Sequence, residues 1–158
     1  MVMNQEQIPV TATSTFRPVR TLLYPTNKPY PIIVSTNYHE NSMHPGQRQL
    51  LAVDVLTGAR TQPYIHDVVV TIAHRNKTYK FRIFFKRHKL LRTNRGIRRL
   101  AGVRVEGDVL LAAVGKNVDI RNLRGGEERR AANLAVKRTM KALSPLRTRR
   151  RFPAKLSL

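Results

Sequence analysis

Apolar and polar positions alternate most clearly in residues 66–88. "HDVVVTIA" (66–73) is rich in β-branched residues, "HRNK" (74–77) is polar, and "TYKFRIFFKRH" (78–88) alternates. Two such runs around a short polar break predict a β-hairpin with a four-residue loop. Residue 73 then pairs with 78. Strand side chains repeat every two residues, so Val68, Val70, Ile72, Tyr79, Phe81 and Ile83 share one face. The opposite face sets Thr71 against Lys80, Val69 against Arg82 and Asp67 against Phe84, with Lys86 beyond. Residues 78–86 therefore read as a strand that is apolar inside and cationic outside.

The pattern elsewhere is weaker. In residues 1–31, Pro9, Pro18, Pro25, Pro29 and Pro31 interrupt any helix, which predicts an extended, flexible arm. "PIIVST" (31–36) and "QLLAVDVL" (49–56) read as strands, with a loop at 37–46 and a turn at "TGAR". Beyond residue 86 the alternation stops. Asn94-Arg95-Gly96 then suggests a basic loop over 87–100 that has room for one helical turn. "GVRVEGDVLLAAVG" (102–115) suggests a second hairpin turning near Glu106-Gly107, and 117–123 a further strand. In 125–143, Ala132, Ala135, Val136, Thr139, Met140 and Leu143 follow helical spacing. Glu127 and Glu128 suit the start of that helix, and Ser144-Pro145 its end.

The expected fold class is α+β: a mostly antiparallel sheet packed by one C-terminal amphipathic helix. Residues 32–143 form the single domain, 1–31 the arm and 144–158 a basic tail.

Composition sharpens this picture. A chain of 158 residues fits one domain, and 41% hydrophobic residues suffice for a core. The absence of cysteine excludes disulfides and thiolate metal sites. No run is apolar enough to span a membrane, and the N-terminus lacks the order of a secretory signal. The expected location is intracellular, nuclear or cytoplasmic. Thr11, Thr13, Ser14, Thr15, Arg17 and Arg20 with Glu6 as sole acid resemble an organelle transit peptide, which keeps a mitochondrial destination open.

Charge changes the picture most. Thirty basic side chains face nine acidic ones, a net +21, and residues 74–104 carry twelve of the cations with no acid. Such concentration favours a polyanionic partner: nucleic acid, an anionic membrane surface or an acidic protein.

Candidate chemistry elsewhere has plainer readings. In "HENSMH" (39–44), His39 and His44 are five positions apart, about 140° around a helix, so they cannot face one zinc ion from it. "GKN" (115–117) lacks the upstream glycine of a phosphate loop and reads as a turn. Asp54, Asp67, Glu106, Asp108 and Asp119 match no metal-nuclease spacing. Asn76-Lys77-Thr78 reads as a polar hairpin loop, and Arg124-Gly125-Gly126 as the lead-in to the C-terminal helix. No catalytic residue, metal ligand or cofactor is assigned, and the oligomeric state is open.

The nucleic-acid candidates are Lys80, Arg82, Phe84 and Lys86 on the hairpin, the cations for phosphates and Phe84 for stacking on a base. The plainer alternative buries Phe84 beneath a solvated face. Arg87, Lys89, Arg92, Arg95, Arg98, Arg99 and Arg104, with Arg147, Arg149, Arg150 and Arg151 in the tail, add sequence-independent phosphate contacts. The expectation is a non-catalytic nucleic-acid-binding protein, with RNA or single strands slightly favoured. Two alternatives stand beside it: a scaffold that binds acidic proteins, and a subunit of a large ribonucleoprotein whose arm and tail order on assembly.

"GDVLLAAVGKNVDIRNLRGGEERRAANLAVKRTM" (107–140) also resembles the C-terminal part of small, functionally uncharacterised proteins of mushroom-forming fungi. Gly107, Asp108, Val109, Asn122, Arg124, Gly125, Leu134 and Ala135 carry the likeness. It implies strands followed by a helix and no particular activity, and this chain is more basic than that group leads one to expect.

Overall fold

Seven strands and two helices follow one another along the described chain: β1 (Thr15–Tyr24), β2 (Ile32–Glu40), β3 (Gln49–Leu50), β4 (Ile65–His74), β5 (Lys77–Lys86), α1 (Arg95–Ala101), β6 (Val109–Val114), β7 (Ile120–Arg121) and α2 (Glu127–Leu143). The structure is a computed structural model and describes residues 15–40, 49–50, 65–86, 91–116 and 119–144. The strands form one sheet in the order β3-β2-β1-β6-β5-β4, with β7 beside β6, and every pairing is antiparallel. The α+β architecture is as the hydrophobic pattern implies.

The β4–β5 hairpin has the expected register: Ile72 opposes Tyr79, Val70 opposes Phe81 and Val68 opposes Ile83. Its loop is shorter than expected. His74 pairs with Lys77, which leaves only Arg75 and Asn76 in the turn, at φ of 47° and 60°. Two left-handed residues match the twist of a tight hairpin, so the polar break is half strand.

Four further expectations are corrected. Residues 15–24 belong to the sheet rather than to a free arm. Pro18 is tolerated because β6 borders β1 only from Leu22 to Tyr24, so the missing N–H faces no second strand. Residues 102–115 are not a hairpin. Only Val109–Val114 form a strand, all six residues buried, and it lies between β5 and β1. A run apolar on both faces marks a central strand, not an alternating pair. Finally, 95–101 is a helix. Asn94 caps it by accepting a hydrogen bond from Ile97 N at 2.9 Å, and Gly102, at φ 69°, closes it. β2 also runs on to Glu40, past the expected end at 36. The remainder of the 49–56 strand, the "TGAR" turn and the tail from 145 onward lie outside the described residues.

The helices lie on one face of the sheet. There Leu22, Phe81, Ile83 and Leu111 meet Ile97 of α1 and Ala132, Ala135, Val136 and Met140 of α2. Fully burying a side chain such as Phe81 or Ile83 is worth about 1.5–3 kcal/mol. The small alanines let α2 lie close to the strands. The opposite face has its own apolar cluster, in which Val19, Leu23, Phe84, Leu110, Ala112, Val114 and Ile120 are all buried.

Candidate nucleic-acid interface

The second cluster decides what the cations of β5 can do. Lys80, near the turn, is exposed. Arg82 donates from Nε to Asp67 Oδ2 at 2.7 Å, and its guanidinium lies 5.1 Å from the centre of the Phe84 ring. Phe84 is only 5% exposed, and Lys86 is buried as well. The expected solvent-facing row of Lys80, Arg82, Phe84 and Lys86 is therefore not formed, and Phe84 offers no face for a base. Alternation along a strand separates two faces, but it does not reveal whether water or a second cluster covers the outer one.

Asp67, Glu106, Asp108, Glu127 and Glu128 all have partners within the fold. Besides Asp67, Glu106 pairs with Arg104 at 3.4 Å. Asp108 accepts from Thr26 N at 2.6 Å. Glu127 meets His74 at 2.9 Å, Arg75 at 2.8 Å and Arg130 at 3.0 Å. Glu128, buried at the start of α2, pairs with Arg121 and accepts from Arg124 N at 2.5 Å. The cleft lined by Lys77, Tyr79, Arg121, Arg124, Glu127 and Glu128 thus holds both signs of charge. Desolvation pushes the Glu127 carboxyl up, but the His74 hydrogen bond and the charges of Arg75 and Arg130 outweigh it and hold it below its ordinary value.

What remains unpaired is cationic and belongs to the helix layer. Arg92, Arg95, Arg98 and Arg99 are exposed and form no ion pair among the described residues. Lys137, Arg138 and Lys141 on α2, which packs against α1, are likewise exposed and unpaired among the described residues. The backbone anchors α1 firmly. Asn94, fully buried, donates from Nδ2 to Tyr24 O at 2.8 Å and to Gly107 O at 3.0 Å, and Asn94 N bonds Val105 O at 2.8 Å. Beneath the layer, burial pushes the Tyr24 hydroxyl far above its ordinary value against the opposing charge of Arg129, so it stays a neutral donor to Asn133 Oδ1 at 2.6 Å.

The structure thus brings together four of the sequence-derived candidates, Arg92, Arg95, Arg98 and Arg99, on and just ahead of α1. Arg104 is exposed but shares its charge with Glu106. Arg87, Lys89, Arg147, Arg149, Arg150 and Arg151 lie outside the described residues. The cations of α2 are the ones the linear reading passed over, although the spacing that places Ala132 and Met140 inward also puts Lys137, Arg138 and Lys141 outward. Among the described residues no three His, Asp or Glu side chains gather to hold a metal ion, and no helix is long and apolar enough to cross a membrane. No protein-family model, curated protein or solved structure matches the chain.

Proposed function

We propose that this is a non-catalytic nucleic-acid-binding protein that contacts phosphates through its helix layer. One observation carries the reading: Arg92, Arg95, Arg98 and Arg99 are exposed within eight residues of chain and have no carboxylate partner among the described residues. Arginine forks match phosphate oxygens, and each phosphate neutralised releases a counterion. Lys137, Arg138 and Lys141 extend the same cationic layer along α2. On this reading the protein works inside the cell, in the nucleus or the cytoplasm, where nucleic acid is available.

Binding of labelled single-stranded and duplex oligonucleotides across a salt series tests the proposal. If the four arginines each neutralise one phosphate of a single strand, they contribute about −2.8 to the slope of log affinity against log salt. Between 50 and 200 mM salt that share alone weakens binding about fiftyfold. The variant with all four changed to Gln should lose that part of the slope while Lys80→Gln leaves it nearly unchanged. Wild-type protein that ignores polyanions but binds an acidic protein tightly would point to a scaffold instead.

A further inference from the structure

Tyr30 is 58% exposed, the most open of the three large hydrophobic side chains exposed among the described residues. A lone exposed tyrosine is ordinary on a protein surface. This one is held where the cationic layer meets the sheet. The residue before it, Pro29, lies against α1: a Cβ built on Gly96 would stand 3.4 Å from both the Pro29 carbonyl carbon and its oxygen. The residue after it, Pro31, accepts a hydrogen bond from Arg129 Nη2 of α2 at 3.3 Å. Tyr30 is therefore bracketed by both helices, with Arg95 next to Gly96 on one side, Arg129 on the other, and exposed Lys28 two residues upstream.

The platform is also stiff. Pro29 and Pro31 fix the backbone on either side of Tyr30. Thr26 N is tied to Asp108 at 2.6 Å, and the Tyr24 carbonyl to Asn94 at 2.8 Å. A backbone already held in place loses little freedom on binding. Ile33, 45% exposed, adds an aliphatic neighbour: its register partner Leu22 belongs to the helix-side cluster, so Ile33 faces that side too.

We infer that Tyr30 is a stacking platform for an unpaired base, so that the helix layer takes single-stranded nucleic acid in preference to duplex. The inference rests on the nucleic-acid reading above. A duplex keeps its base faces within its own stack, whereas an unpaired strand offers them, and its phosphates then run over the arginines of α1 and Arg129. The surrounding charge favours a nucleic acid over an apolar peptide for this ring.

The test compares the full chain with Tyr30→Ala and Tyr30→Phe, using a labelled twelve-nucleotide oligo-U, a duplex hairpin with the same number of phosphates, and heparin, at one salt concentration. Tyr30→Ala should weaken oligo-U binding about five- to hundredfold and change duplex and heparin binding less than about twofold. Tyr30→Phe keeps the ring and should stay within about twofold of wild type on all three. Far-ultraviolet circular dichroism checks that the exposed substitution leaves the fold intact. If Tyr30→Ala binds oligo-U as wild type does, or loses equally on all three polyanions, the stacking role is overturned while the phosphate-binding reading stands. If an acidic peptide displaces oligo-U and its own affinity falls as far with Tyr30→Ala, the surface is a protein site. If the wild-type chain binds none of the three, both the inference and the reading beneath it fall.

Discussion

Arg82 Nε and Asp67 Oδ2 meet at 2.7 Å diagonally across the β4–β5 ladder, two residues along from being directly opposite. The bond turns a cation of the expected binding face inward, toward its own hairpin. Both side chains remain partly exposed, at 27% and 40%, so the pair is worth well under about 1 kcal/mol after screening. Its contact with the Phe84 ring adds a similar amount. Arg82→Gln should therefore lower unfolding free energy by about 1 kcal/mol or less in urea titration. It should also leave oligonucleotide affinity within about twofold of wild type. A loss as large as that of the α1 arginine variant would return the sheet face to the binding surface.

Asn94 joins three segments through one side chain, as cap of α1 and as donor to the Tyr24 and Gly107 carbonyls. Asn94→Ala strands a buried helix N–H and two buried carbonyls, at a cost of about 2–4 kcal/mol. Asn94→Asp keeps the acceptor for Ile97 but turns a carboxylate oxygen toward both carbonyls in a buried site, so it should destabilise at least as much as Ala in urea unfolding. Because α1 carries the free arginines, Asn94→Ala should also weaken oligonucleotide binding under conditions where the sheet is still folded. Unchanged stability in Asn94→Ala would mean that α1 docks by other contacts.

Local patterns were legible where one face of an element meets the core and the other meets water. The register of β4 with β5 follows from Val68, Val70 and Ile72 finding Phe81, Ile83 and Tyr79, and α2 follows from its helical spacing. Elements that break that condition were not. β6 has no polar position to mark its pleat, and β1 carries Pro18 at a place where only one neighbour is present. α1 buries only Gly96, Ile97 and Ala101, too few to stand out among its arginines. The same limit hid the surroundings of the candidate residues. Phe84 and Lys86 alternate as a solvent face would, yet they are buried, Phe84 within the second apolar cluster, while Tyr30 sits in a proline-rich stretch whose neighbours are helices far along the chain.

The β4–β5 turn places Arg75 and Asn76 at φ of 47° and 60°. Asparagine tolerates that conformation and glycine meets no steric cost there, whereas a β-branched side chain is strained. Asn76→Gly should hold or raise stability by about 0.5 kcal/mol, and Asn76→Val should cost about 1–2 kcal/mol. Thermal unfolding read by circular dichroism distinguishes the two. If valine is tolerated as well as glycine, the two-residue turn is not the one this hairpin uses.

Glu127 ties the hairpin tip to the start of α2 through His74 and Arg75, and reaches Arg130 within its own helix. Desolvation raises its pKa, but the His74 hydrogen bond and the charges of Arg75, Arg130 and His74 lower it by more, so the carboxyl lies below its ordinary 4.5. A group depressed in the folded state contributes stability that is fully present above its unfolded value and is lost as pH falls through the folded one. Wild type should therefore melt above Glu127→Gln near neutral pH, and the gap should close progressively as pH falls through and below the ordinary carboxylate range. The partly exposed site keeps the difference small, so paired melting curves at each pH are the appropriate measurement. A gap that stays constant across that range would mean the cluster stabilises by packing rather than by the charge on Glu127.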